Sequence, residues 1–143
     1  MTESRKHQKA VNALKDLAKN GLGCTIWENS NSRGMGGFGF PAIVTGKGVK
    51  QWTADVFCRT KEGMMVILEA DGKIGHSSKH AYADDNYRDN CLYDGFGIIT
   101  VRYPIPWILS KKAPLTAEQL LADIEYRSAL GKIKLQTLPV SEA

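Results

Sequence analysis

The sequence predicts a single α/β domain built on a mixed β-sheet with helices on both faces. Two features of the chain lead to this prediction. A short polar turn that ends in glycine, at 59–63, joins two segments with strand character, which is typical of a β-hairpin. A helical segment then separates this hairpin from a further strand, and such a crossover returns the chain parallel to the strand it left. Antiparallel and parallel pairs therefore share one sheet.

The first third of the chain is predicted to be a helix, a strand and a long loop. Apolar residues at helical spacing indicate a helix over 4–19, ended by Gly21 or Gly23. The composition of 24–27 predicts a strand. The glycine-rich segment 29–50 is predicted to be a loop, and loops of this length in small domains are usually functional or mobile.

The hairpin strands are predicted at 51–58 and 64–69. The second is apolar throughout, so we expect it at the centre of the sheet, covered on both faces. Thr116 and Gln119 form a capping pattern that begins the last helix. After the hairpin, the sequence predicts a helix over 79–94 ended by Gly95 and a strand over 98–103. The last helix is predicted to end near Gly131 and to be followed by a loose tail over 132–143. The domain is therefore predicted to span 1–131.

Composition is that of an ordinary globular chain of 143 residues. No run of about 18 apolar residues is present, and residues 1–9 are charged rather than apolar. We therefore expect a cytoplasmic protein with no membrane partner. The three cysteines are widely spaced and form no C-x-x-C pair, which argues against a structural zinc site.

The net charge of +4 permits a polyanionic partner without requiring one. Basic residues concentrate in the first helix, the glycine-rich segment and the tail, whereas carboxylates concentrate between Asp55 and Asp94. This distribution suits an enzyme that binds phosphates around an enclosed cation, although an ordinary mixed-charge surface accounts for it equally. Arg33, Lys47 and Lys50 are the candidate nucleic-acid-binding residues.

Three carboxylates are the candidate metal ligands. Asp55 lies in the first hairpin strand, Glu69 closes the second, and Asp71 follows two residues later. Because side chains alternate along a strand, Glu69 and Asp71 can point to one side, with Asp55 opposite them. Like charges this close need a cation or a basic group beside them, and Mg²⁺ prefers oxygen ligands. The alternative is a surface turn at Asp71, with Glu69 in solvent.

The order and spacing of these motifs resemble the PD-(D/E)XK nuclease superfamily over residues 3–103. Trp52-Thr53-Ala54-Asp55 lies where that superfamily has its first Asp, and Val66-Ile67-Leu68-Glu69-Ala70-Asp71 lies where it has the (D/E)-x-K strand. The branch that contains very-short-patch repair endonucleases is similar in three further motifs: Glu69-Ala70-Asp71-Gly72 with His76, Asp85-x-x-Arg88-Asp89-x-x-Leu92-x-x-Gly95, and Ile98-Ile99-x-Val101-Arg102. The N-terminal part, with Trp27-Glu28-Asn29, resembles small phage replication-repair nucleases and junction resolvases.

The resemblance implies a restriction-endonuclease-like α-β-β-β-α-β core with an extra C-terminal helix. It also implies a Mg²⁺-dependent DNA endonuclease of repair, recombination or phage type, in which Mn²⁺ can replace Mg²⁺. Asp55, Glu69 and Asp71 would be the metal ligands, DNA the partner, and the cytoplasm, or the host cytoplasm, the compartment. Whether the protein acts as a monomer or a homodimer stays open.

The chain departs from the superfamily where Asp71 replaces the motif's lysine. Three outcomes are open. Asp71 can be a third metal ligand while Lys73 or His76 orients the attacking water. Lys73 can take the vacant lysine role. Activity can also have been lost, which makes a catalytically inactive nucleic-acid-binding protein the alternative function.

Two further residues are accessory candidates. Glu3, at the start of the first helix, can reach the metal or only interact with the helix dipole. Arg88 can bind a scissile phosphate, for which a guanidinium is well suited, or form a helical ion pair with Asp85.

Overall fold

The computed structural model describes the backbone of residues 3–28, 37–72 and 79–137 and the side chains of 5–28, 37–72 and 83–131. None of the helices in these ranges is long and apolar enough to span a membrane. The elements are α1 (Glu3–Asp16), continued by a π-helical turn (Leu17–Gly21), β1 (Thr25–Trp27), β2 (Phe38–Gly39), β3 (Ile43–Thr45), β4 (Gly48–Lys50), β5 (Thr53–Ala54), β6 (Val56–Arg59), β7 (Met65–Asp71), α2 (Lys79–Phe96), β8 (Ile99–Pro104), α3 (Ile105–Ile108) and α4 (Ala117–Thr137).

A four-stranded mixed sheet in the order β1-β6-β7-β8 forms the centre of the fold. β6 runs antiparallel to both β1 and β7, and β8 runs parallel to β7. The predicted hairpin is confirmed, since the N–H of Thr60 donates to the carbonyl of Met64 at 2.9 Å in the turn between β6 and β7. α2 is the crossover that makes the parallel pair possible. The predicted α/β class with a mixed sheet is therefore confirmed.

Alternation along β7 divides the interior into two apolar clusters. Val66, Leu68 and Ala70 pack in the cluster that contains residues of α1, α3 and α4, whereas Ile67 packs with Leu92 of α2. β7 lies between β6 and β8 and is buried on both faces, as its uninterrupted apolar sequence predicts. Helices consequently cover both faces of the sheet.

The part of the glycine-rich segment that the structure describes, 37–50, differs from the predicted loop. β3 and β4 form a hairpin, and β2 pairs with β5. Aromatic packing explains the order: the ring centroids of Phe38 and Phe40 are 5.0 Å apart, and each lies within 5.0 Å of the Phe57 ring. The predicted strand over 51–58 is divided at Asp55 into β5 and β6.

Two helices end later than predicted. α2 passes Gly95 and ends before Gly97, which adopts the left-handed conformation with a φ of 69°. The cap of α4 is confirmed, because the N–H of Gln119 donates to Thr116 Oγ1 at 3.2 Å. The predicted end near Gly131 is wrong, however, and 132–137 belong to α4 rather than to a tail. Gly131 permits close approach instead, since a Cβ there would lie 2.3 Å from an atom of the Tyr93 ring.

Candidate functional site

Asp55 and Glu69 meet where the chain passes from β5 to β6 beside β7. The N–H of Asp55 donates to Glu69 Oε2 at 3.2 Å, and the N–H of Ala70 donates to Asp55 Oδ2 at 2.9 Å. Each carboxylate is thus held by a backbone donor of the other strand. The interruption of the strand at Asp55 makes this possible, because its N–H bonds to a side chain rather than to the sheet.

The two carboxylates differ in burial. Glu69 is 6% exposed, and the Asp55 side chain is 22% exposed. Burial, the largest effect, raises the pKa of the Glu69 carboxyl; Arg88 lowers it, and the charge of Asp55 raises it again, with a net rise. Glu69 is therefore a buried acid whose negative charge needs a neighbouring cation.

Arg88 of α2 is the basic partner of Glu69. Its Nη2 donates to Glu69 Oε1, and the Arg88 side chain is 15% exposed. The sequence predicted either a phosphate or Asp85 as the partner of Arg88. It did not predict Glu69, because the contact joins a helix to a strand distant in the chain. The Nε of Arg88 is buried and has no hydrogen-bond partner among the described residues, so the guanidinium keeps an unsatisfied donor.

His7 of α1 joins this site and is a residue that the sequence interpretation missed. Its Nε2 lies 3.3 Å from Asp55 Oδ2. A signal was present, because His7 is one turn before Val11 and lies on the apolar face of α1 that packs on the sheet. Glu3 begins α1 one further turn back, and its side chain lies outside those described.

Asp71 lies in a second cluster of charges, around Arg102 of β8. β7 continues through Asp71, so Glu69 and Asp71 point to the same face, as predicted. Arg102 Nη2 donates to Asp89 Oδ1 at 2.8 Å, and Asp71 and Asp85 each lie 3.9 Å from an Arg102 nitrogen. Burial lowers the pKa of Arg102, but the hydrogen bond and charge of Asp89 and its acidic neighbours raise it overall.

Within the ranges the structure describes, no three His, Cys, Asp or Glu side chains form a group able to hold a metal. Asp55 and Glu69 are close together, whereas Asp71 lies near Arg102. A pair of carboxylates is still a donor set that Mg²⁺ accepts, because Mg²⁺ usually keeps several waters and takes one or two carboxylates. The described residues therefore fit an ion held by Asp55 and Glu69, and Asp71 stays a predicted ligand.

The remaining candidates lie elsewhere or outside the described residues. Lys73, His76 and Arg33 fall outside the described ranges, and their roles stay predictions. Lys47 and Lys50 are exposed on the hairpin of β3 and β4. The hairpin contacts α2, since the backbone N–H of Lys47 donates to the Tyr87 hydroxyl at 3.1 Å and Lys47 Nζ lies 4.3 Å from the Tyr87 ring centroid.

No family model, curated protein or solved structure matches this chain. Its relation to the PD-(D/E)XK superfamily accordingly stays a prediction from motif order and spacing. Function has to be argued from the residues of the site.

Proposed function

We propose that this protein is a Mg²⁺-dependent DNA endonuclease in which Asp55 and Glu69 hold the metal. The observation behind this proposal is the reciprocal contact of the two carboxylates across β6 and β7, with backbone hydrogen bonds of 3.2 and 2.9 Å. Arg88 offsets the charge of Glu69, and a cation held between the two carboxylates would offset the charge of Asp55 as well. Oxygen ligands of this kind suit Mg²⁺.

The order of elements supports the same proposal. When β2–β5 and α3 are left aside, the elements α1, β1, β6, β7, α2 and β8 have the order α-β-β-β-α-β that the superfamily resemblance implies, and we propose that α4 is the extra C-terminal helix. Asp55 immediately precedes β6, and Glu69 lies in β7, the central strand. Glu69 lies in the strand where its motif was expected, whereas Asp55 stands just before its strand rather than within it.

The chain's own residues divide the work of the site. When bound, Mg²⁺ supplies a polarised water and offsets negative charge on the leaving oxygen. Asp55 and Glu69 bind the ion, and His7, 3.3 Å from Asp55 Oδ2, restricts the orientation of that carboxylate. Arg88 holds Glu69 and offers a guanidinium to a phosphate. Lys73 or His76 is proposed to orient the attacking water.

The test is cleavage of a panel of DNA substrates (linear duplex, single strand, mismatch, branch and junction) with and without Mg²⁺. Asp55→Asn and Glu69→Gln keep the size of each side chain and remove its charge, so we expect each to abolish cleavage. The fold, measured by circular dichroism, and DNA binding in EDTA should remain largely intact.

Asp84→Asn is the matched control, because Asp84 is exposed on α2 and should be replaceable without loss of cleavage. Full cleavage by purified Asp55→Asn would overturn the proposal. Loss of cleavage in Asp84→Asn as well would show that the panel measures something other than this site.

A catalytically inactive nucleic-acid-binding protein is the second candidate, and the ion pairs favour it. Arg88 already offsets the charge of Glu69, and Arg102 lies beside Asp71, so both carboxylates have guanidinium partners without a metal. This candidate predicts salt-dependent DNA binding and no cleavage of any substrate in Mg²⁺ or Mn²⁺. Cleavage that EDTA abolishes would eliminate it.

A further inference from the structure

A pocket of about 640 Å³ lies between α3, the connection that follows it and the first turns of α4. Trp107 forms one wall and is 57% exposed, which is unusual for so large an apolar side chain. Ser110, Gln119 and Asp123 add polar groups to the lining. The pocket therefore combines an exposed aromatic side chain with hydrogen-bonding groups.

The polar wall of this pocket is fixed by its own hydrogen bonds. The Tyr103 hydroxyl donates to Asp123 Oδ2 at 2.6 Å, and Gln119 Nε2 donates to Asp123 Oδ1 at 2.9 Å. Burial, and then the hydrogen bond to Asp123, raise the pKa of the Tyr103 hydroxyl above its ordinary value, which already lies well above neutral pH. Each carboxylate oxygen of Asp123 can accept a further bond, such as one from the amino group of a base.

Two lysines adjoin the pocket. Lys111 and Lys112 are exposed in the connection between α3 and α4, directly after Ser110. An aromatic platform beside basic side chains is the usual combination for binding single-stranded nucleic acid, because bases stack on the ring while phosphates lie near the positive charges.

The pocket lies at the same end of the sheet as the carboxylates. β7 and β8 are parallel, with Asp71 opposite Pro104, and α3 begins at the next residue. Tyr103 packs in the apolar cluster on the face of the sheet opposite α2, whereas Glu69 contacts α2. A nucleic-acid strand that crosses this end of the sheet would pass both places.

We infer that the pocket binds an unpaired nucleobase of a DNA strand, stacked on Trp107, with the adjoining phosphates near Lys111 and Lys112. A base inside an intact duplex is stacked on both faces and cannot enter a side-chain pocket without being extruded. This inference rests on the proposed function only in taking DNA as the partner. It adds the substrate class, which is DNA with a single-stranded or opened segment.

The test is binding of the full chain, in EDTA, to a single-stranded oligonucleotide of about 12 nucleotides and to the matching duplex. We expect Trp107→Ala to weaken single-strand binding by roughly tenfold or more, the loss typical of one stacked base. Trp107→Phe should restore most of the affinity. Duplex binding should change by less than about twofold, because a closed duplex offers no base for stacking.

Tyr126→Ala is the matched control, because Tyr126 is a 63% exposed aromatic of α4 that does not line the pocket. Its single-strand affinity should equal that of the unmodified protein. Replacing Lys111 and Lys112 together with alanine should lower the salt dependence, with a change in the slope of log K against log salt of about 1.4, or roughly 0.7 for each phosphate contact.

The inference is overturned if Trp107→Ala binds the single strand as tightly as the unmodified protein, if it loses duplex and single-strand binding equally, or if neither form binds. These results are distinct from failure of the proposed function. If Asp55→Asn still cleaves DNA while Trp107→Ala has lost single-strand binding, the pocket assignment stands and the metal assignment fails. If Asp55→Asn has lost cleavage while Trp107→Ala binds the single strand as tightly as the unmodified protein, the metal assignment stands and the pocket assignment fails.

Discussion

Two charged clusters lie on the same face of β7 and are built in opposite ways. In the first, the carboxylate of Glu69 is buried between Arg88 and the backbone of Asp55. In the second, a guanidinium is surrounded by acids: Arg102 lies beside Asp71, Asp85 and Asp89. The first therefore has a buried acid at its centre, and the second has a half-buried base.

We interpret the first cluster as the candidate functional site and the second as a contact that stabilises the fold. Burial raises the pKa of Glu69, so its charge depends on a proton or a cation nearby. Arg102 carries a permanent charge that its neighbours stabilise, and its bonds to Asp89 join β8 to α2. We therefore expect changes in the second cluster to alter stability, and changes in the first to alter metal binding and catalysis.

Replacement of the half-buried Arg102 should have the largest effect on stability. Arg102→Met leaves Asp85 and Asp89 facing each other without their guanidinium, and we expect a loss of about 2–4 kcal/mol in the free energy of unfolding. Urea denaturation measures it. Asp84→Asn, on the helix that carries Asp85 and Asp89, serves as the control. A loss below about 0.5 kcal/mol would mean that the second cluster is an ordinary surface ion pair.

Replacement of Arg88 should cost less. Arg88→Met removes the partner of Glu69, but the raised pKa of Glu69 allows the carboxyl to be protonated instead, so we expect a loss of about 1–3 kcal/mol. Urea denaturation of both arginine variants at one pH gives the comparison directly. If Arg88→Met proves more destabilising than Arg102→Met, the Arg88–Glu69 pair is the stronger structural contact and the proposed contrast between the two clusters fails.

Measured over one pH unit, the pH dependence of stability should show the smallest effect. Because the pKa of Glu69 is higher in the folded chain than in the unfolded chain, the folded state binds more protons between the two values, and stability falls as pH rises through that window. The slope contributed by one group is at most about 1.4 kcal/mol per pH unit. Glu69→Gln should remove this contribution, measured by urea denaturation from acid to neutral pH. An unchanged slope would show that the pKa of Glu69 is not raised in the folded chain.

The sequence predicted the parts of the fold that depend on local chemistry. The apolar run of β7 predicted a central strand, the turn before Met64 predicted the hairpin, and the Thr116 cap predicted the start of α4. The end of α4 was wrong because Gly131 serves contact with Tyr93 rather than termination. The sequence alone does not distinguish a glycine that ends a helix from one that permits close packing.

The candidate site was predicted only in part, because its partners come from distant segments. Alternation and strand pairing brought Asp55 and Glu69 together. The contacts of His7 and Arg88 depend on how α1 and α2 lie across the sheet. The spacing of residues along the chain does not predict that packing. For the same reason Asp71, although it points to the predicted side, lies near Arg102.

Titration calorimetry with Mn²⁺ tests the central claim most directly, because it measures metal binding without requiring a DNA substrate. The unmodified protein should bind Mn²⁺, and Asp55→Asn and Glu69→Gln should lose that binding. Asp89→Asn, which removes a carboxylate from the second cluster, should retain it. Absence of Mn²⁺ binding by the unmodified protein, or equal binding by Asp55→Asn, would contradict the assignment of Asp55 and Glu69 as the metal ligands.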